Sequence, residues 1–122
     1  MVKLVFCLHR LPRLTREEFH SYWRERHAPL VARHAAALRI ERYVQLHTLS
    51  GPANAGLRAS RGGPPEYDGI AELWWASEES LAAATATAEG RQAGLELLED
   101  ERRFIDLERS PLWLAREVPI LP

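Results

Sequence analysis

Cysteine is nearly absent from this 122-residue chain: Cys7 stands alone. An internal disulfide is therefore excluded, as is a zinc site built on cysteines, and a reducing compartment is the natural setting. Charge of one sign is also missing. Sixteen basic residues meet 17 acidic ones for a net charge of −1. No block of like charge forms, so an electrostatic grip on nucleic acid is not expected. The apolar run in MVKLVFCLHRLP is too short to span a bilayer and lacks a small-residue cleavage site. There is no repeat, no low-complexity tract, no GxGxxG, no Walker A and no HExxH. These absences point to a cytoplasmic protein that neither binds nucleic acid nor enters a membrane.

What is present suits a globular domain. Hydrophobic residues make up 46% of the chain, too many for a disordered one. A chain this long can bury roughly two-thirds of its unfolded surface without staples. We read residues 1–122 as a single domain.

The pattern along the chain alternates between strand and helix. Residues 2–9, VKLVFCLH, form an apolar, partly β-branched run that stops near Pro12 and reads as a strand. Thr15 with Glu18 three residues later is a capping box. Behind it, Phe19, Tyr22, Trp23, Arg26 and Leu30 recur at helical spacing. Pro29 lacks an N–H and pushes Ala28 away from helical dihedrals, so this helix is expected to end or kink near His27. Pro29 can then open a second segment through Leu38.

Residues 40–48 alternate as a second strand. Val44 and Leu46 share one face; Tyr43, Gln45 and His47 share the other. Residues 50–66, rich in Gly, Pro, Ala and Ser, have no periodicity and read as a long mobile loop. A third strand, 67–76, places Ile70, Glu72 and Trp74 opposite Gly69, Ala71, Leu73 and Trp75. Ser77 caps an Ala-rich helix that Gly90 can interrupt. Residues 107–118 close the pattern as a strand with Pro111 at an edge or bulge.

The order is β-α-β-β-α-β, an α+β, ferredoxin-like arrangement: a four-stranded antiparallel sheet with both helices on one face. Leu4, Phe6 and Leu8, with Val44, Leu46, Leu73 and Trp75, suit the helix-covered face. Val5, Cys7, His9, Tyr43, Gln45, His47, Ile70, Glu72 and Trp74 are left for the other. That set is too apolar for water and too polar for a plain core. It predicts a homodimer joined sheet to sheet, with a cavity enclosed between the sheets.

Three stretches together resemble the EthD-like family of the dimeric α+β barrel superfamily. KLVFCLHR with LTREEFHSYWRERHAPL is similar to the family's opening strand and its helix ending in Y-W-x-x-x-H-x-P-L. YDGIAELWW is like its third strand, and DERRFIDLERSPLWLAREV its C-terminal segment. The matching positions are Tyr22, Trp23, His27 and Pro29; Asp68, Gly69 and Glu72; Phe104 and Asp106. The resemblance implies the ferredoxin-like fold and the dimer. The wider superfamily includes cofactor-free monooxygenases, lactone isomerases, polyketide cyclases and dehydratases, and heme proteins.

Candidate site residues follow from chemistry and position. His27, at the edge of the apolar stripe, either caps its helix or serves as an acid–base group at the mouth of a cavity. His9, His47 and Glu72, from three strands, are expected on the dimer-side face. There a carboxylate beside an imidazole would give a general base; the competing roles are interface hydrogen bonds or plain solvent exposure at a strand end. Tyr43, Trp74, Tyr22, Trp23 and Gln45 are candidates for binding a substrate, with interface or core packing as the competing role. Cys7 reads as a small buried apolar residue. The histidine spacing matches no compact metal motif, so no metal is expected.

The function these readings support is isomerisation, dehydration, cyclisation or monooxygenation of a small apolar or aromatic molecule, with no cofactor required. The competing function is a non-catalytic accessory or ligand-binding dimer.

Overall fold

The computed structural model describes all residues, 1–122. Its sheet is built from β1 (Val2–Leu8), β2 (Arg42–His47), β3 (Gly69–Trp75) and β4 (Leu112–Ala115), in the order β2-β3-β1-β4. Every pairing is antiparallel. This is the ferredoxin-like arrangement, and β4 is an edge strand, consistent with Pro111 just before it. Two helical layers lie on one face: α1 (Arg16–Tyr22) running into α2 (Ala28–Leu38), and α4 (Glu78–Ala86) running into α5 (Ala88–Glu101). No helix is long and apolar enough to cross a membrane.

Local chemistry sets these boundaries. Thr15 accepts a hydrogen bond from the Glu18 N–H at 3.1 Å, and the Glu18 carboxylate accepts from the Thr15 N–H at 2.9 Å, so the capping box is complete. Ser77 caps α4. The break between α4 and α5 falls at Thr87, whose hydroxyl accepts from the Gly90 N–H. Gly90 thus sits inside the first turn of α5. A Cβ there would lie 1.8 Å from the Ala84 carbonyl oxygen, so the glycine lets two helices meet closely.

Pro29 does not end its helix. The chain widens into one π-turn, Trp23–His27, and continues as α2, with the Ala28 N–H reaching the Trp23 carbonyl. Pro29 has no N–H for the Glu25 carbonyl, and its ring crowds that oxygen. A single wide turn relieves the clash while keeping the helix going.

The strand registers set the faces. Leu4 pairs with Leu73, Phe6 with Ala71 and Leu8 with Gly69. Tyr43 also pairs with Leu73, Gln45 with Ala71 and His47 with Gly69. Since side chains alternate, Tyr43, Gln45 and His47 lie on the helix-covered face. Val44 and Leu46 lie on the open one, beside Glu72 and Ile70. This reverses the expectation for β2. Both faces of the sheet are apolar, so placing the apolar residues of β2 inward was not a sufficient guide.

The core lies between sheet and helices. Phe19, Trp23, Phe104 and Leu8 are its largest fully buried side chains. Residues 50–66, expected as a loop, contain the helix α3, Pro52–Arg61. Proline starts it and Gly62, at φ 62°, ends it. It buries no side chain. That explains why no apolar period marked it.

Candidate functional site

A cavity of about 140 Å³ opens between the helical layer and the sheet. Its floor is strand side chains, among them Phe6, Tyr43, Leu73 and Trp75. Its roof is Trp23, His27, Val31, Leu97 and Glu101. His27 and Glu101 are the polar exceptions in a hydrophobic wall. The cavity lies within the single chain, on the helix-covered side of the sheet. The sequence had suggested a cavity between two sheets; the reversed β2 moves Tyr43 to this side instead.

His27 is buried at 5% exposure. The π-turn sets it one helical turn beyond Trp23, and both point inward. It stands at the N-cap position of α2, yet makes no capping hydrogen bond with its side chain. Its Nδ1 instead lies 2.8 Å from Asp100 Oδ2. Phe104 packs on the imidazole, with ring centroids 5.0 Å apart.

Asp100 is itself buried and fully partnered. Tyr22 donates its hydroxyl to Oδ1 at 2.6 Å and Arg103 donates at 3.0 Å. Burial pushes the Asp100 carboxyl up, but the hydrogen bonds from Tyr22, His27 and Arg103 outweigh it and hold it below the usual carboxylate range. Burial lowers the His27 pKa, and the opposing hydrogen bond and charge of Asp100 do not fully restore it. An ionised Asp100 facing a neutral imidazole accepts the Nδ1 proton. Nε2 then keeps its lone pair, the tautomer a general base needs.

Glu101 behaves in the opposite way. It ends α5 and lines the cavity. Burial, then the charge of Asp100, push its carboxyl up to about 7, with Arg102 pulling weakly the other way. Tyr43 is likewise pushed up by burial, to about 12, so it stays a phenol. Its oxygen accepts a hydrogen bond from Gln45 at 2.7 Å. Gln45 also reaches the Trp23 carbonyl at 3.1 Å, tying β2 to the π-turn.

His9, His47 and Glu72 do not come together. His47 stacks on Trp23 at 4.7 Å on the helix side and contacts Gln45 at 2.7 Å. His9 packs on Tyr67 beyond the end of β1. Glu72 lies on the open face in an ion pair with Lys3 at 3.0 Å. The reversed face of β2 separates His47 from Glu72, and Lys3 occupies the carboxylate meant for a histidine. Trp74 is likewise on the open face. Lys3 and Arg42 cover its ring, and its N–H donates to Glu117 at 2.7 Å. It lines no part of the cavity. Tyr22 contributes through Asp100, whereas Trp23 and Tyr43 form cavity wall.

Asp100 and Glu101 were not singled out from the sequence. Their signal was present: Ala93, Leu97 and Glu101 recur at i+4, and Asp100 follows Leu97 at i+3, so acids continue a buried stripe. Asp68, by contrast, is architectural. Its carboxylate accepts from the Arg10 N–H at 2.8 Å and from Arg16 Nε at 3.0 Å, fastening the end of β1 to α1. Gly69 is required beside it, because a Cβ would lie 2.5 Å from the Trp23 ring. No three His, Cys, Asp or Glu side chains converge as a metal site.

Comparison with known proteins places this architecture. A model of the EthD domain matches residues 11–108. An ethyl tert-butyl ether D (EthD) family protein from Bacillus halodurans has the same fold, with a TM-score of 0.63 and 22% identity over 97% of this chain and 99% of its own. An EthD-like protein from Ralstonia eutropha gives 0.63 and 21% over 98% and 95%. SnoaB from Streptomyces nogalater, a cofactor-independent oxygenase, gives 0.56 and 16% over 99% and 96%. No curated protein sequence matches significantly. With most of its length, the Y-W-x-x-x-H-x-P-L helix and the acid-bearing end of α5 included, covered by the domain match, the chain belongs to the EthD family.

Proposed function

We propose that the protein is an acid–base catalyst for a small apolar molecule held in the cavity between its helices and sheet, with His27 as the base. The observation that carries this is the buried Nδ1 contact to Asp100 at 2.8 Å, on a ring that lines a largely hydrophobic cavity. Asp100 sets the tautomer and would stabilise the imidazolium formed when Nε2 takes a proton. Tyr22 and Arg103 hold Asp100 in place and are positioning residues. Trp23, Val31 and Leu97 give the site hydrophobic walls, which would strengthen the interaction between the nascent charges.

The cavity volume bounds the ligand. An apolar protein cavity of about 150 Å³ accommodates one benzene, so about 140 Å³ suits a single ring. Isomerisation, dehydration or cyclisation of such a molecule needs only proton transfer, which this chain's own groups can perform. Oxygenation without a cofactor would begin the same way, with a carbanion formed by the base, and SnoaB supports that route on the same fold.

The protein acts as a homodimer in this reading. Val5, Val44, Leu46, Ile70 and Trp113 line the open sheet face, with Leu46 and Trp113 at 44% and 48% exposure. A second copy would cover them. The lone, buried thiol of Cys7 fits a reducing, cytoplasmic setting.

The test is deuterium exchange into cyclohexanone in D₂O, followed by proton NMR. The wild type should accelerate exchange at the carbon beside the carbonyl. His27→Ala should remove at least about a hundredfold of that acceleration while still binding the ring. Acceleration that survives His27→Ala would refute the base. The hydrophobic wall also favours a second reading, a ligand-binding accessory without turnover. Binding of cyclohexanone with no acceleration by the wild type would support that one.

A further inference from the structure

We propose that Glu101 is the proton donor of the cavity and selects a neutral, ring-sized carbonyl compound; this deepens, and rests on, the reading of His27 as base. The argument starts from what Glu101 lacks. Its carboxylate makes no hydrogen bond and no ion pair within the chain. Its main-chain carbonyl accepts from the N–H groups of Phe104 at 3.2 Å and Ile105 at 2.8 Å. The two cations that follow it turn elsewhere: Arg102 toward Glu99 at 3.8 Å and Arg103 toward Asp100 at 3.0 Å. The residue is half-buried and its carboxyl stands free at the cavity wall, so its hydrogen-bonding positions are open to a ligand that enters.

The two neighbouring acids have been driven apart by their surroundings. Asp100 is served by three donors and stays ionised. Glu101 has none and lies at the C-terminal end of α5, where the helix dipole further disfavours negative charge. The charged and titratable groups around it are His27 from the π-turn, Tyr43 from β2, and Asp100 and Arg102 from its own end of α5. None neutralises it, so burial raises its carboxyl to about 7 and a large fraction is the neutral acid near physiological pH. Titratable pairs pushed apart in this way mark acid and base assignments.

The ligand class follows from the wall. No Lys or Arg lines the cavity, so an anionic ligand would have no counter-charge. A carboxylic acid donates a hydrogen bond and needs an acceptor, and a neutral carbonyl oxygen supplies one. With both groups in place the step balances. His27 Nε2 takes a proton from the carbon beside the carbonyl. The C–H electron pair becomes the new C=C, and the carbonyl π pair takes the proton of Glu101. The product is a neutral enol, with an imidazolium and a carboxylate left on the protein. Reversal restores both groups, returning a proton to the same carbon or to a conjugated one, which is exchange or isomerisation. Nothing is oxidised.

The experiment compares cyclohexanone with benzene, both titrated by NMR against the wild type between about pH 5.5 and pH 8.5. Cyclohexanone should bind about fivefold more weakly at the higher pH, the worth of one hydrogen bond, while benzene should not change. Deuterium exchange is then measured with Glu101→Gln, which keeps a hydrogen-bond donor but has no proton to transfer. Its cyclohexanone affinity should stay within about threefold of the wild type at low pH, with exchange reduced at least about tenfold. Two results would overturn the donor role: cyclohexanone and benzene binding with the same pH dependence, or Glu101→Gln exchanging at the wild-type rate. If exchange survives in Glu101→Gln and is lost in His27→Ala, only Glu101 is misassigned and His27 stands as the base.

Discussion

At the scale of single residues, burial and pairing decide what each titratable group can do. Asp100 and Glu101 are adjacent acids, yet three donors reach one and none reaches the other. That difference has a consequence for stability. Below about pH 4.5, Glu101 is protonated whether the chain is folded or not. Between that value and about 7 the unfolded chain gives up the proton and the folded one keeps it. The folded state binds more protons there, so this contribution is lost as pH rises through about 7. At roughly 1.4 kcal/mol per pH unit, less what partial exposure screens, the loss is on the order of 2 kcal/mol. His27 acts in the opposite sense. Its folded pKa is lowered, so stability is lost as pH falls below its ordinary value. Both effects are present in the wild type, and Glu101→Gln removes one. Urea denaturation at about pH 5 and pH 8 should show the variant gaining on the wild type by about 2 kcal/mol at the higher pH. The acids continue the Ala93–Leu97 stripe, so their burial was legible in the sequence. Their opposite environments were not, because Tyr22, His27 and Arg103 reach Asp100 through the fold.

Among the elements, the π-turn at Trp23–His27 matters most. It exists because Pro29 cannot donate to Glu25 and crowds its carbonyl, while Phe19, Trp23 and Val31 hold both halves of the helix to the sheet. The extra residue in the turn rotates His27 relative to a regular helix. Replacing Pro29 with Ala restores an N–H at that position and allows the turn to tighten to α geometry. We expect His27 to leave Asp100 and the cavity, and its pKa to rise toward the ordinary value of about 6.5, read by NMR titration of the imidazole. An unchanged titration would show that packing, not the proline, maintains the turn. The sequence placed an irregularity at the right residue but predicted an end or a kink. Proline's lost hydrogen bond is local, whereas the packing that keeps the helix continuous is not.

The molecule as a whole has two apolar sheet faces, and only one is covered by its own helices. This supports the proposed dimer. Leu46→Glu would place a charge on the open face without entering the core. It should halve the solution mass measured by light scattering and leave the far-ultraviolet circular dichroism unchanged. A variant that keeps the wild-type mass would remove Leu46 from any interface. The open face also carries the Lys3–Glu72 pair and the cations over Trp74. A partner subunit would therefore meet a mixed surface, apolar with a charged cross.

The sequence by itself determined the β-α-β-β-α-β order, though not the helix α3 within residues 50–66, together with the capping box at Thr15, the cap at Ser77 and the alternation of the strands. These follow from dihedral preferences and hydrogen bonds between near neighbours. Only the tertiary structure decided which face of β2 meets the helices, and with it that Tyr43, Gln45 and His47 lie inward while Val44 and Leu46 lie outward. Alternation tells which residues share a face; it does not say which face is covered when both are apolar. The same limit applies to the site. His27 was legible as a histidine poised between cap and cavity, but the choice was made by Asp100, 73 residues away along the chain, a distance that no local pattern spans.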